Sequence, residues 1–301
     1  MQKDPISLLP AVIVAASLIG PAFTQARANI SIRNDRGDTC ESLDVSSSGF
    51  VARAAQTYTL PAASSLEIDG GNRGHIRVRG GTGAEYTVQA CRITAADTQA
   101  AADQALPGVA VNRSGSRFSV TGSGSGEWLV YFIVQTPARA SLDLETHNGP
   151  ISVANVAGNI KARAANGPIA VHDCDGDIQV RSTNGPVSFA GSGGNVSLNA
   201  QNGPVSVSLS GSDWKGQGLD ARAVNGPVSL HLPDTYHTGI RIETSGHAPF
   251  ACSAGLCGQM VADTSGSQRV FQLNGSNAVV RLSTHNGPVA IASPSKGPRM
   301  I

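Results

Sequence analysis

From Leu142 to Ile291 the chain alternates apolar and polar positions in short runs, and most runs open just after a glycine. One series reads Ile151/Val153, Ile169/Val171, Val187/Phe189, Val205/Val207, Val228/Leu230 and Val289/Ile291. A second, interleaved with it, reads Ile160/Ala162, Ile178/Val180, Val196/Leu198, Leu219/Ala221 and Ile240/Ile242. Successive side chains of a strand point to opposite faces, so period-two alternation rich in β-branched residues predicts short strands with one face buried. Upstream, Leu66/Ile68, Ile76/Val78, Val109/Val111 and Phe118/Val120 alternate in the same way. Trp128 to Val134 is apolar without a break, the pattern of a strand buried on both faces. Thr94 to Leu106, rich in Ala with Asp and Gln, predicts one short helix serving as a cap or insertion. Residues 29–64 carry no clear period.

Asn-Gly-Pro punctuates these runs, beginning at Asn148, Asn166, Asn184, Asn202, Asn225 and Asn286. The first four are spaced by 18 residues; the interval then widens to 23, where Gly211 to Gly218 insert a loop carrying Trp214, and to 61 before Asn286. A second glycine, at Gly158, Gly176 and Gly194, divides each unit. Asn-Gly by itself favours a two-residue hairpin, because both residues tolerate positive φ. Units this alike fit a stack better: superposing them places Asn on Asn, where the amides can hydrogen-bond along the axis, and Ile or Val on Ile or Val. Proline lacks an amide donor, so it belongs in the turn or at a strand's first residue. The expected fold is therefore all-β, a parallel β-solenoid or β-helix with about 18 residues per coil and two short strands in each.

The alternating run near Leu66, the apolar strand followed by Thr136-Pro137, and Leu142-Asp143-Leu144-Glu145-Thr146-His147-Asn148-Gly149 leading into serial Gly-x-Ile/Val units together resemble the bacterial putative-adhesin domain of unknown function. The resemblance covers roughly residues 60 to 293. It implies an exported or envelope-associated β-solenoid, and it carries over no catalytic residues. Gly-Pro turns stand here where that family mostly has Gly-Asp.

Composition narrows the reading further. With 35 glycines and 4% aromatic residues in 301, the chain suits a thin, extended core. Only 14% of residues are charged and the formal net charge is +1, so no global field draws it to nucleic acid or acidic membranes. The apolar run from Ile6 to Ile19, with Lys3 before it and Ala26-Arg27-Ala28 after it, reads as a secretory signal over residues 1–28. No later segment reads as a membrane span. The remainder divides into an N-terminal segment or cap at 29–64, the repeat domain at 65–293 and a polar tail at 294–301. Five cysteines agree with an oxidising compartment, with Cys252–Cys257 the first expected pair and Cys40–Cys91 the second. Cys174 takes the place in its unit that Val156 takes in the one before, which assigns it to the core as the unpaired thiol.

The outward positions of the second strand carry Lys161, Arg163, Arg181, Arg222, Arg241 and Arg281, a discontinuous basic stripe suited to an anionic polymer or, more plainly, to a solvated face that discourages edge pairing. The first strand's outward positions are Ser or Ala. Asp173, Asp175 and Asp177 surround Gly176 as a calcium loop would, but they align with ordinary repeat positions, and no metal or cofactor is expected. Arg36-Gly37-Asp38 has the composition of a common turn. The histidines are scattered, and His147 and His285 simply precede Asn-Gly-Pro. The expected function is non-enzymatic: an adhesin-like binding or scaffold protein of the bacterial envelope, periplasmic or at the cell surface, whose partner is an envelope glycan or a surface protein. The alternatives are a polysaccharide lyase or hydrolase on a β-helix and a self-assembling envelope module.

Overall fold

The computed structural model describes residues 29–34, 37–62, 65–122, 127–245, 248–275 and 277–293. The expected signal segment and the C-terminal tail lie outside them, as do Arg36 and His247. The described chain is all-β with one α-helix, built on a 12-stranded sheet (sheet I) and an 11-stranded sheet (sheet II), both mostly parallel and neither closed into a barrel. Among the described residues no helix is long and apolar enough to cross a membrane.

The 18-residue spacing becomes strand register. Ala157–Ala164 in sheet I pairs in parallel with Asp175–Ser182, matching Ile160 to Ile178 and Arg163 to Arg181, and the next pair matches Ile178 to Val196. Sheet II does the same with Ile151, Ile169, Val187 and Val205. Each unit thus gives one strand to each sheet. Inward residues of both sheets, such as Ile160, Ile178, Ile169 and Val187, merge into one continuous core between them. Each fully buried aliphatic side chain contributes about 1.5–3 kcal/mol, but a lone unit would leave both neighbouring faces in water, so stability comes from stacking.

Turn chemistry explains the punctuation. None of the described Asn-Gly-Pro residues has positive φ, so the glycine is not needed for a left-handed turn. It is needed for closeness: a Cβ on Gly185 would lie 2.1 Å from the Gly167 carbonyl oxygen one unit below. The proline carbonyls join the ladder, with the Ile169 amide donating to Pro186 O at 2.9 Å, while the missing proline N–H falls in the turn. On the opposite side, Asn155 and Asp173 take the left-handed conformation at φ 57° and 53°, a region their short polar side chains tolerate. The insertion around Trp214 fills the core edge: its indole N–H donates to Gly194 O at 3.1 Å and its ring lies 6.0 Å from that of Phe189.

At both ends the chain departs from sequential stacking. After Val228–His231 it skips a position, builds Gly239–Ser245 and Phe250–Cys252, and then returns so that Ala278–Thr284 and Val289–Ala292 fill the gap. The 61-residue interval is therefore a detour, after which the repeat resumes in register. The other end mirrors this. Arg117–Gly122 and Glu127–Pro137 lie outside Ser65–Asp69 and Gly74–Gly81, which pair directly with Arg139–Thr146 and Ile151–Ala154. Antiparallel strands then finish the stack, among them Phe50–Pro61 and Gln268–Leu273.

The helix is shorter than its composition suggests, covering Gln99–Ala105. The Thr98 side chain caps it by accepting from the Ala101 amide, and Thr94 belongs to the preceding strand, donating to Ala102 O at 2.8 Å. Glu127–Pro137 is buried on both faces as expected. Val130, Phe132 and Val134 enter the main core, whereas Leu129, Tyr131 and Ile133 face outward under Cys40 and Leu43. The aperiodic N-terminal segment supplies that cover, with Ile30–Asn34 and Asp44–Ser47 forming a small antiparallel sheet.

Candidate functional site

The outer face of sheet I carries two rows of polar side chains running along the stack, because every second residue of each strand points outward. One row reads Glu67, Asp143, Lys161, Gln179, Ser197, Asp220, Arg281, Arg241; the other reads Asp69, Glu145, Arg163, Arg181, Asn199, Arg222, Ser283, Glu243. The single basic stripe expected from sequence is thus divided between two rows; carboxylates precede both at one end, and at the other the second row closes on Glu243 while the first ends on Arg281 and Arg241. Strand order causes this. The unit before Lys161 and Arg163 has Asp143 and Glu145 at the same positions, and the out-of-order return places Arg281 beside Arg241.

Ion pairing sorts the six cations. Arg163 is held by Asp143 at 2.6 Å and Glu145 at 3.2 Å, and Arg241 by Glu243 at 2.6 Å. Both are half-buried. Lys161, Arg181, Arg222 and Arg281 are exposed and make no ion pair or side-chain hydrogen bond among the described residues. Arg181 and Arg222 stand two strands apart with Asn199 between them, so their Cα atoms are separated by about 10 Å.

A trough runs beside the second row. One depression is lined by Asp69, Glu145, His147, Arg163, Arg181 and Thr183, a second by Arg181, Thr183, Asn199, Gln201 and Arg222, and a third by Arg222, Glu243, Ser283 and His285. Shared residues join the three into one groove along the stack axis. Its far wall is the residue before each Asn: His147, Ala165, Thr183, Gln201, Val224 and His285. The alternation pattern finds the row but misses this wall, since those residues sit in turns. Their shared offset from Asn-Gly-Pro was the signal that could have located them. The groove spans eight strands, about 33 Å, and is acidic at its ends and basic in the middle.

The turn asparagines form a ladder next to this wall. Asn166 Nδ2 donates to Asn148 Oδ1 at 2.7 Å, Asn184 to Asn166 at 2.7 Å, Asn202 to Asn184 at 2.9 Å, Asn225 to Asn202 at 2.9 Å and Asn286 to Asn225 at 2.8 Å. Asn148 continues it to the Asn72 carbonyl at 3.0 Å. The ladder fixes the turns against one another and so stiffens the groove wall.

The remaining candidates are engaged elsewhere. Asp175 accepts from the Gly176 amide at 2.8 Å and Asp177 from Asn195 at 2.9 Å, and among the described residues no three His, Cys, Asp or Glu side chains converge as metal ligands. Asp38 pairs with Arg79 at 3.1 Å and Arg77 at 3.5 Å while staying exposed, and Arg36 of the tripeptide lies outside the described residues. Cys252 and Cys257 are joined as a disulfide. Cys174 is buried, and burial pushes its thiol up to about 11. Cys40 and Cys91 are buried free thiols side by side.

No protein-family model matches the chain, and no curated protein matches it. Solved structures similar to it include a "putative cell adhesion protein" from Clostridium sporogenes, at 11% identity and TM-score 0.34 over 81% of this chain and 100% of that one. Others are a "putative adhesin" from Bacteroides fragilis, at 11% and 0.35 over 80% and 97%, and a "putative lipid binding protein" from Parabacteroides distasonis, at 11% and 0.31 over 80% and 96%. Likeness this remote carries no argument about function.

Proposed function

We propose that the chain is an exported, non-enzymatic β-solenoid that binds an extended anionic polymer of the bacterial envelope, such as an acidic glycan, along the groove of sheet I. The observation that carries this reading is the pair of unpartnered, exposed arginines, Arg181 and Arg222, in the middle of a straight trough. Coils of 18 residues hold such groups at fixed multiples of the strand spacing, so little conformational entropy is lost when a linear ligand settles across them. Arg163, already neutralised by two carboxylates, contributes less.

Retention of the purified chain on isolated envelopes and on an acidic glycan, at two salt concentrations, tests the reading. Arg181→Glu with Arg222→Glu is expected to weaken binding by about ten-fold or more at low salt, because two exposed attractions become repulsions. Arg163→Gln should have a smaller effect. Salt-insensitive retention, or retention unchanged in the double variant, would overturn it.

A second reading is hydrolysis of the bound polymer, favoured by the carboxylates Asp69 and Glu145, which occupy neighbouring strands at one end of the groove. Sustained release of reducing ends by the purified chain, lost in Glu145→Gln, would establish it in place of simple binding.

A further inference from the structure

We infer that Cys40 and Cys91 are the site of a second disulfide, which fastens the N-terminal sheet over the outward apolar face of sheet II. The geometry places one cysteine on the other. Gln89, Cys91 and Ile93 project from the same face of Glu85–Ala96, and Arg53 lies opposite Ile93 on the neighbouring strand. The Cys40 backbone is tethered on both sides of Cys91: its amide donates to Gln89 Oε1 at 2.7 Å, and its carbonyl accepts from Arg53 Nη1 at 3.4 Å. Both side chains are buried, at 1% and 0% exposure, in an apolar cluster with Leu43, Ile93, Leu129, Tyr131 and Ile133.

The two thiols are also chemically distinct. The Cys91 thiol donates a hydrogen bond to the Cys40 sulfur, which lowers the Cys40 thiol below its ordinary range and raises that of Cys91. In the exchange, the Cys40 thiolate attacks one sulfur of a disulfide donor and releases the other as a thiolate. Cys91 then attacks the Cys40 sulfur of the mixed disulfide and displaces the second donor thiol. Two protein thiols and one donor disulfide give one protein disulfide and two donor thiols, so the donor takes both electrons and both protons. The bond ties a segment with no repeat period to the stack, and the apolar side chains it covers would otherwise face water. This inference is independent of the groove on sheet I.

The test is to unfold and reduce the full chain, refold it in a mixture of reduced and oxidised glutathione, and count free thiols under denaturing conditions. One free thiol is expected, Cys174, and peptide mapping should join the peptides containing Cys40 and Cys91 until a reductant is added. Cys174→Ala should leave none. If Cys174→Ala does not refold, the wild-type count and map decide by themselves. Three free thiols in the refolded wild type, or Cys40 and Cys91 joined to other partners, would overturn the inference.

Discussion

Replacing Asn184 by alanine removes two rungs of the asparagine ladder at once: its donation to Asn166 at 2.7 Å and its acceptance from Asn202 at 2.9 Å. Asn286→Ala, at the end of the ladder, removes only the donation to Asn225 at 2.8 Å. All these side chains are exposed, so the abandoned amides regain water, and each lost bond should cost near the low end of the usual 0.5–1.5 kcal/mol. The expected destabilisation is about 1–2 kcal/mol for Asn184→Ala and about half of that for Asn286→Ala. Urea unfolding followed by far-ultraviolet circular dichroism would report both as midpoint shifts at constant slope. The ratio is the diagnostic quantity, because any general preference for Asn in these turns would affect both sites alike. Equal losses, or no loss at Asn184, would mean that the amides stack without stabilising the turns.

The core and the isolated thiol give two further expectations. Phe189→Ala removes a side chain that is 1% exposed and packed against Trp214, at a cost of about 3–5 kcal/mol; a loss under 1 kcal/mol in urea unfolding would contradict the packing that the Trp214 loop provides. The Cys174 thiol is raised from 9.0 to about 11 by burial. Its contribution to stability is therefore fully present below pH 9 and is lost as pH rises toward 11, because the unfolded chain gives up that proton first. Cys174→Ala should flatten the alkaline fall in stability over that window, and an unchanged slope would show that the buried thiol plays no part in it.

Much of the fold was legible because the repeat operates at several levels at once. Inward alternation, the 18-residue spacing and the proline positions all demand the same parallel register, and Ile151, Ile169 and Val187 fall into it. Trp128 to Val134 announced its two buried faces by having no polar alternation. What covers the outer of those faces was not legible, since Cys40 and Leu43 belong to a segment without period and reach it only through tertiary contact. The detour between Asn225 and Asn286 escaped for a similar reason: periodicity reveals that two units are alike but not that a third is built beyond their place before the chain returns. The helix was read too long because Ala-rich composition does not mark the start that the Thr98 cap enforces. On the groove, the six cations were readable as outward residues. The neutralisation of Arg163 was readable too, had Asp143 and Glu145 been aligned with Lys161 and Arg163.

The out-of-order ends bear on how such a stack can exist alone. A parallel stack of identical units presents at each end a strand whose unpaired N–H and C=O groups match another copy of itself, an invitation to grow without limit. Here the end strands are mostly antiparallel or short, which limits that template. Sheet I finishes in Val109–Ser114 and the three-residue Val261–Asp263, each held by an antiparallel neighbour, and sheet II finishes in the antiparallel Phe50–Pro61 and the three-residue Phe250–Cys252. Of these only Phe250–Cys252 keeps the parallel register of the stack, with Pro249 O accepting from the Val289 amide at 2.9 Å as Pro288 O does from Val228, and it is three residues long. The disulfide between Cys252 and Cys257 holds the short end strand of sheet II in a tight loop, and Phe50 and Val261 are left exposed at the outermost strands. At the C-terminal end the penultimate unit is built last, so the chain lays the cap first and closes the stack against it; at the N-terminal end Ser65–Asp69 and Gly74–Gly81 come first, and Arg117–Gly122 and Glu127–Pro137 are added outside them. The ladder, the groove and the core then keep one length, fixed by sequence, as the proposed binding along the groove would require.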